Sequence, residues 1–297
     1  MAAFNTITAD QLEKNPPSQL LDVRLKEDFE SSHLPEAVSN CIFEVAFFER
    51  LDTSDESKAA SHVVYGANEK SSEAIMAAER LQSLGFSDVS ILEGGMAAWK
   101  KAGHSVEGSG EDPSDPEIPE GTLPLNLEES FVQWTGRNLL NRHYGTIGLK
   151  SGEIEVTKGE LTGGKIVIDM NALQCEDLEG EMHDGLIGHL KSADFFETET
   201  YPEAIFEIRS SKKEKGATPG SQNLILKADL TLKGVTKPVE LGAVAGVTPD
   251  GKLAAQSSFL IDRTLWNVIY GSGKMFHRLG MHLVNDLIDI ELKVVTT

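Results

Sequence analysis

The chain has 297 residues, a length that favours two domains, and 40% of them are hydrophobic, enough for real cores. Its formal net charge of −20, from 47 acidic against 27 basic residues, argues against nucleic acid and against an anionic membrane surface, both of which demand positive charge. Two cysteines make no disulfide framework, the start MAAFNTITADQLEKN has neither a basic nor an apolar leader region, and no apolar run reaches the ~20 residues of a membrane span, so a soluble, cytoplasmic protein is expected.

Taken in order, residues 1–106 mix short apolar runs with helical patterns. Gln19–Val23, His62–Tyr65 and Val89–Leu92 read as buried strands. Lys70–Leu84 has helical spacing, with Ile75, Ala78, Leu81 and Leu84 on or near one face and Gly85 as its stop. Gly94-Gly95 opens another helix, which carries Met96 and Trp99 and ends near Gly103. Strands alternating with helices predict a parallel α/β sheet.

The segments LLDVR, FESSHLPEAV, VVYG and LGFSDVSILEGGMAAWKKAG resemble a single rhodanese domain, in the expected order over residues 4–106. The resemblance implies a persulfide-carrying cysteine directly after the VVY strand, in a cradle of backbone N–H groups that stabilises a thiolate. Gly66 stands at that position. The loop Gly66, Ala67, Asn68, Glu69, Lys70, Ser71, Ser72 holds no other side chain able to carry a persulfide, and Glu69 adds negative charge where an anion would dock. Cys41 follows the HLPEAV segment, where a lone cysteine is usually a small buried hydrophobe. The expectation is a rhodanese-like domain that is not a sulfurtransferase and serves docking, regulation or dimerisation, with an unknown protein partner.

Residues 107–124 read as a linker. EGSGEDPSDPEIPE within it holds six acidic residues, no basic ones and three prolines. From residue 125 to 297 the period is two. Val132 and Trp134 share a face, as do Ile147 and Leu149, then Ile154 and Val156; Ile166, Ile168 and Met170 follow, then Ala204, Phe206 and Ile208. In Asn223–Ala243, Leu224, Leu226, Ala228, Leu230 and Leu232 oppose Asn223, Lys227, Asp229, Thr231 and Lys233. Gly234 supplies a turn, Pro238 suits an edge, and Val239, Leu241 and Ala243 resume the apolar face. Leu253, Ala255, Phe259 and Ile261 form one more stripe, and Ile288, Ile290, Leu292 and Val294 the last. Eight or nine one-sided strands predict an antiparallel barrel, because closure removes the exposed edges. At about eight strands the interior is either packed solid or wide enough for one slender ligand. Asp177–Lys191 breaks the pattern with helical spacing through Met182, Leu186, Ile187 and Leu190 and runs into Phe195-Phe196; it either lines an opening or seals a barrel end.

WTGR, HYGTIGLKSGEI, GGKIVIDMNAL, HLKSADFFETETYPEAIFEI, LTLKGVTKPVEL and IDRTLWNVIYGSG resemble the YceI family over residues 127–297. The resemblance implies a lipocalin-like barrel whose lumen holds a long apolar chain such as a polyisoprenoid, a quinone tail or a fatty-acyl lipid. Lumen positions expected on that basis are Ile147, Leu149, Ile166, Ile168, Met170, Phe195, Phe196, Phe206, Leu226, Leu230, Leu232, Phe259 and Ile261, each of which also suits solid core. His143, Tyr144 and Arg263 are expected at the mouth, although Asp262 and Arg263 also fit a structural pair or a turn anchor. His183 and His189 are six apart and His277 and His282 five apart, so neither pair shares a helix face and no metal site is expected. Two other readings stay open: a sulfurtransferase using Cys41 or another cysteine, and an interaction module whose barrel is solid.

Overall fold

The computed structural model describes residues 4–111 and 116–297, and the chain divides into two units, 1–115 and 116–297. Linker residues 112–115 lie outside the described residues.

In the first unit the strands β1 (Asn5–Ile7), β2 (Gln19–Asp22), β3 (Val38–Ser39), β4 (Ser61–Tyr65) and β5 (Asp88–Leu92) form an all-parallel sheet ordered β1-β5-β4-β2-β3. Helices α1 (Ala9–Lys14), α2 (Lys26–Ser31), α3 (Asp55–Ala59), α4 (Glu73–Ser83) and α5 (Gly95–Ala102) connect them. A buried parallel strand faces apolar neighbours on both sides. Thus Val63 and Tyr65 of β4 pack with Leu12, Met96 and Trp99, while Val64 packs with Ala77, Ala78 and Leu81 of α4. The buried stripe of α4 is Ala74, Ala77, Ala78 and Leu81; Ile75, expected on that face, is exposed. Gly85 closes α4 at φ +93°, a conformation open to glycine because it has no Cβ.

The second unit is built from β6 (Gly121–Pro124), β7 (Phe131–Arg137), β8 (Arg142–Thr157), β9 (Glu160–Leu173), α6 (Gly180–Lys191), β10 (Glu203–Lys213), β11 (Leu224–Leu232), β12 (Val235–Val247), β13 (Leu253–Asp262) and β14 (Leu287–Val295). Eight strands run antiparallel in the order β8-β7-β14-β13-β12-β11-β10-β9, and pairing of β8 with β9 closes the ring. The strand β6 pairs with the far half of β8, so Gly121–Pro124, expected in the linker, belongs to the barrel unit. At the other end of the linker, Glu107 pairs with His33, and the Ser109 and Gly110 amides donate to the Glu30 and Ser31 carbonyls, so these residues are tied to the first unit.

Lys233 and Gly234 join β11 to β12 with φ of +47° and +72°, the two-residue turn whose twist matches its strands. The Lys233 ammonium donates to the Ala193 and Phe195 carbonyls at 3.1 and 2.8 Å, tying this hairpin to the exit of α6. Pro238 lies where β12 pairs with β11 alone, since β12 meets β13 only from Val244 to Val247; its missing donor leaves no ladder bond unmade.

A cavity at one end of the barrel

The inward stripes of the barrel do two different things along its axis. At one end Ile154, Val156, Ile166, Ile208, Leu226, Ala228, Leu241 and Ala243 are buried in the apolar core and fill the barrel. At the other end the inward positions of the same strands surround a cavity of about 350 Å³. Its walls are Val132 and Trp134 of β7, Ile147 of β8, Ile168, Met170 and Leu173 of β9, Ala204 and Phe206 of β10, Leu230 and Leu232 of β11, Phe259 and Ile261 of β13, and Ile288, Ile290 and Leu292 of β14. The barrel is neither hollow throughout nor solid throughout.

Three connections meet at the hollow end: the β7–β8 turn, the α6 excursion, and the 24-residue passage from β13 to β14. Leu186, His189 and Leu190 of α6, with Phe195 and Phe196 after it, form one side of the cavity, so the helix lines the opening. His189 stands edge-on to Phe195 and Tyr270, at 5.1 and 4.5 Å between ring centroids, joining α6 to the β13–β14 passage. Polar groups gather here: Arg137, Asn138, His143, His189, Arg263, Tyr270, His282 and Asn285 border the cavity, and among the described residues no carboxylate does.

Arg263 is fully buried, with Nε donating to the Asn285 carbonyl at 3.0 Å, one terminal nitrogen to Val268 at 2.5 Å and the other to Val284 at 3.2 Å. Asp286 lies 3.7 Å away and the Phe195 ring lies under the guanidinium at 5.5 Å. Burial pulls this guanidinium below its ordinary pKa, against the opposing pull of Asp286 and Asp262. Of the two readings for Asp262 and Arg263, a structural pair or a turn anchor, the structure gives the second: Asp262 accepts the Thr264 N–H at the start of the turn and takes Lys274 at 2.5 Å, and Arg263 turns to the returning strand of the passage. His143 borders the cavity and is held by Asp177 at 2.9 Å. Burial resists ionisation of Asp177, but the Tyr144 amide, His143 and the Cys175 thiol outweigh it and hold the carboxyl below the usual carboxylate range.

Ten of the thirteen expected wall residues border the cavity. Ile166 and Leu226 do not; they face inward but at the filled end. Leu149 does not either, because the β8–β9 register slips on both sides of it and breaks the alternation begun at Ile147. Of the expected mouth residues, His143 and Arg263 border the cavity and Tyr144 does not; it follows His143 in a strand and takes the opposite face, under the Arg142 guanidinium. Trp134, His189, Tyr270 and His282 were not expected. Trp134 continues the stripe of Val132, a signal that was available, whereas the others sit on segments without a strand period. Among the described residues no three His, Cys, Asp or Glu side chains are grouped to hold a metal ion.

In the first unit, Gly66 ends β4 and the loop after it is filled from within. A Cβ at Gly66 would lie 2.7 Å from Cγ of Glu73, whose carboxylate accepts the Ala67 N–H at 3.0 Å. The Asn68 amide donates to Ser71 Oγ and the Lys70 amide to Asn68 Oδ1. The N–H groups that would cradle an anion are therefore largely engaged by the loop's own side chains. Cys41 is 2% exposed.

A closed antiparallel barrel with an apolar pocket at one end, and polar groups around its opening, is the architecture of a lipocalin-like barrel. A model of the YceI-like domain matches residues 124–296, more than half of the chain, and the chain belongs to that family; a rhodanese-like domain model matches residues 7–102. Over 100 residues the chain is 34% identical to protein YceI of Escherichia coli O17:K52:H18, covering 34% of this chain and 47% of the other. The chain spans about half the length, or less, of the curated relatives it matches. A solved polyisoprenoid-binding domain from Saccharophagus degradans matches 60% of this chain and 98% of its own, at 14% identity and TM-score 0.43. The rhodanese-like domain of the Anabaena sp. Alr3790 protein matches 38% of this chain and 85% of its own, at 32% identity and TM-score 0.32.

Proposed function

We propose that the barrel unit binds and carries one long, slender lipid of isoprenoid, quinone or fatty-acyl type, with its tail in the cavity and its polar end at the mouth. The observation that carries this reading is the segregation inside the barrel: apolar walls at depth, hydrogen-bonding and basic groups at the rim, and no carboxylate among the lining residues. Burial of a tail gains about 0.8 kcal/mol per CH₂, so roughly ten carbons supply about 8 kcal/mol before ordering costs, enough for binding without any catalytic group. Arg137, His143 and His282 at the rim suit a head with carbonyl or phosphate acceptors. Organic extraction of the purified full chain, followed by mass spectrometry, tests this. The expected result is close to one long-chain lipid per protein; protein that yields none, and takes up none from an added isoprenoid or fatty acid, overturns it.

We further propose that the rhodanese-like unit is a non-catalytic docking module. Gly66 supplies no nucleophile, and the Glu73 carboxylate occupies the space a side chain there would need. A thiosulfate-to-cyanide transfer assay on the intact protein is expected to show no turnover above buffer. Sustained turnover lost on Cys41→Ala would assign the unit an enzymatic role instead.

A further inference from the structure

The chain is strongly acidic as a whole, yet the segments at the mouth of the barrel are not. Residues 137–143 and 263–286 contain five Lys or Arg residues and one acid, Asp286, in a protein with 47 acidic and 27 basic residues. Asp286 lies beside Lys274 and Arg263. Arg137 pairs with Asp289, Lys274 with Asp262 and Asp286, and Arg263 is fully buried, so the exposed cations with no acidic partner among the described residues are Arg142 and Arg278, one on each segment.

Large apolar side chains stand among these cations. Leu139 and Leu140 at the β7–β8 turn are 86% and 68% exposed, and Met275, Phe276 and Leu283 of the β13–β14 passage are about half exposed. The two segments are neighbours. The Asn285 amide donates to the Arg137 carbonyl at 2.8 Å, and a cleft beside the main cavity is bordered by Leu139, Lys274 and Leu283 together. Helix α6, which also borders the mouth, and its approach carry Glu179, Glu181 and Asp184, with Lys191 in the last turn.

We infer that this basic and apolar lip is a docking surface for an anionic lipid bilayer, which sets the mouth of the cavity against the membrane for lipid transfer. The purpose rests on the lipid-carrier reading above; the docking itself does not. Three observations favour a bilayer over other occupants. The two unpaired cations, Arg142 and Arg278, match an anionic surface. The apolar groups are exposed side chains on turns and irregular segments, standing among cations, a pattern suited to insertion between anionic headgroups. The patch is also continuous with the opening, so a poorly soluble tail could pass from bilayer to cavity without crossing water. The overall charge of −20 does not forbid this, since charges beyond a Debye length of about 8 Å at physiological salt are largely screened and the local patch governs contact.

The test is co-sedimentation of the full chain with vesicles of phosphatidylcholine containing 30% phosphatidylglycerol, against pure phosphatidylcholine. Binding to the anionic vesicles is expected to be at least tenfold stronger and to weaken with added salt. The Arg142→Glu/Arg278→Glu variant is expected to lose it by more than tenfold, from roughly fivefold per cation near an anionic surface, and Leu140→Ser/Phe276→Ser is expected to lose it similarly. None of these four residues borders the cavity, so lipid recovered by extraction should be unchanged in both variants. Absence of binding to anionic vesicles, or binding that survives both pairs of substitutions, overturns the inference. So does self-association of the wild type, seen by light scattering, that Leu140→Ser/Phe276→Ser abolishes, because the face would then belong to a second copy. A protein that docks on vesicles but never holds lipid would sink the carrier reading and leave the docking surface standing.

Discussion

Replacing Arg263 with Met is expected to destabilise the barrel unit by about 3–5 kcal/mol, the range for removing one partner of a buried charged cluster. The side chain is completely buried and its three donor nitrogens each hold a different backbone carbonyl, on Val268, Val284 and Asn285. Those carbonyls belong to a long passage with little repeating structure of its own, so the guanidinium replaces the ladder that a strand would have supplied. Met fills much of the volume but donates nothing, leaving the three carbonyls without their charged donor and Asp286 with Lys274 alone. Arg263→Lys is expected to fare little better, because one ammonium cannot match a planar fork that spans three acceptors. Urea unfolding followed by tryptophan fluorescence reads the change, since Trp134 and Trp266 lie in this unit and Trp99 alone in the other. A loss under 1 kcal/mol for Arg263→Met would show that the passage is held by its apolar contacts and that the clamp is incidental.

The same passage marks where sequence reading stopped being able to place the site. Leu230, Leu232, Phe206, Ile168 and Met170 were legible as lumen positions because a strand alternates and one face must be dry. A period of two names the face but not the height along the barrel axis. Ile166 and Leu226 therefore looked like Ile168 and Leu230, though at two residues' distance in β9 and four in β11 the interior is filled. Leu149 was misplaced by slips of register that depend on how β9 pairs with it, information absent from β8 alone. His189, Tyr270 and His282 come together from a helix and an irregular segment, where no period links them. In the first unit the glycine at position 66 was visible, but the side chain packed beside it was not, because Glu73 reaches back from the first turn of α4. Charge behaved likewise: the sum over the chain hid a basic lip that exists only because residues 137–143 and 263–286 are brought to one end.

Filling the cavity from within gives the largest functional effect expected. Ala204 on β10 is buried, pairs with Ile168 of β9 and borders the cavity with Phe206, so a larger side chain there grows into empty space. In Ala204→Phe the ring would displace about four or five methylenes of a bound tail. At about 0.8 kcal/mol each, that is roughly 3–4 kcal/mol, or a several-hundred-fold loss of affinity. Lipid recovered by extraction should fall at least tenfold. Stability should move the other way or hardly at all, because filling a cavity commonly adds about 0.5–2 kcal/mol whereas overpacking a solid core costs about 1–3 kcal/mol. The sign of the stability change therefore reports whether the space is real, independently of any ligand. Ala204→Phe that is destabilised by more than 2 kcal/mol would mean the walls close on Ala204 in solution. A stable Ala204→Phe that retains its full lipid content would place the ligand outside the barrel. Vesicle docking through the basic lip should persist in this variant, since Ala204 lies inside the cavity wall and outside the exposed segments that carry the lip.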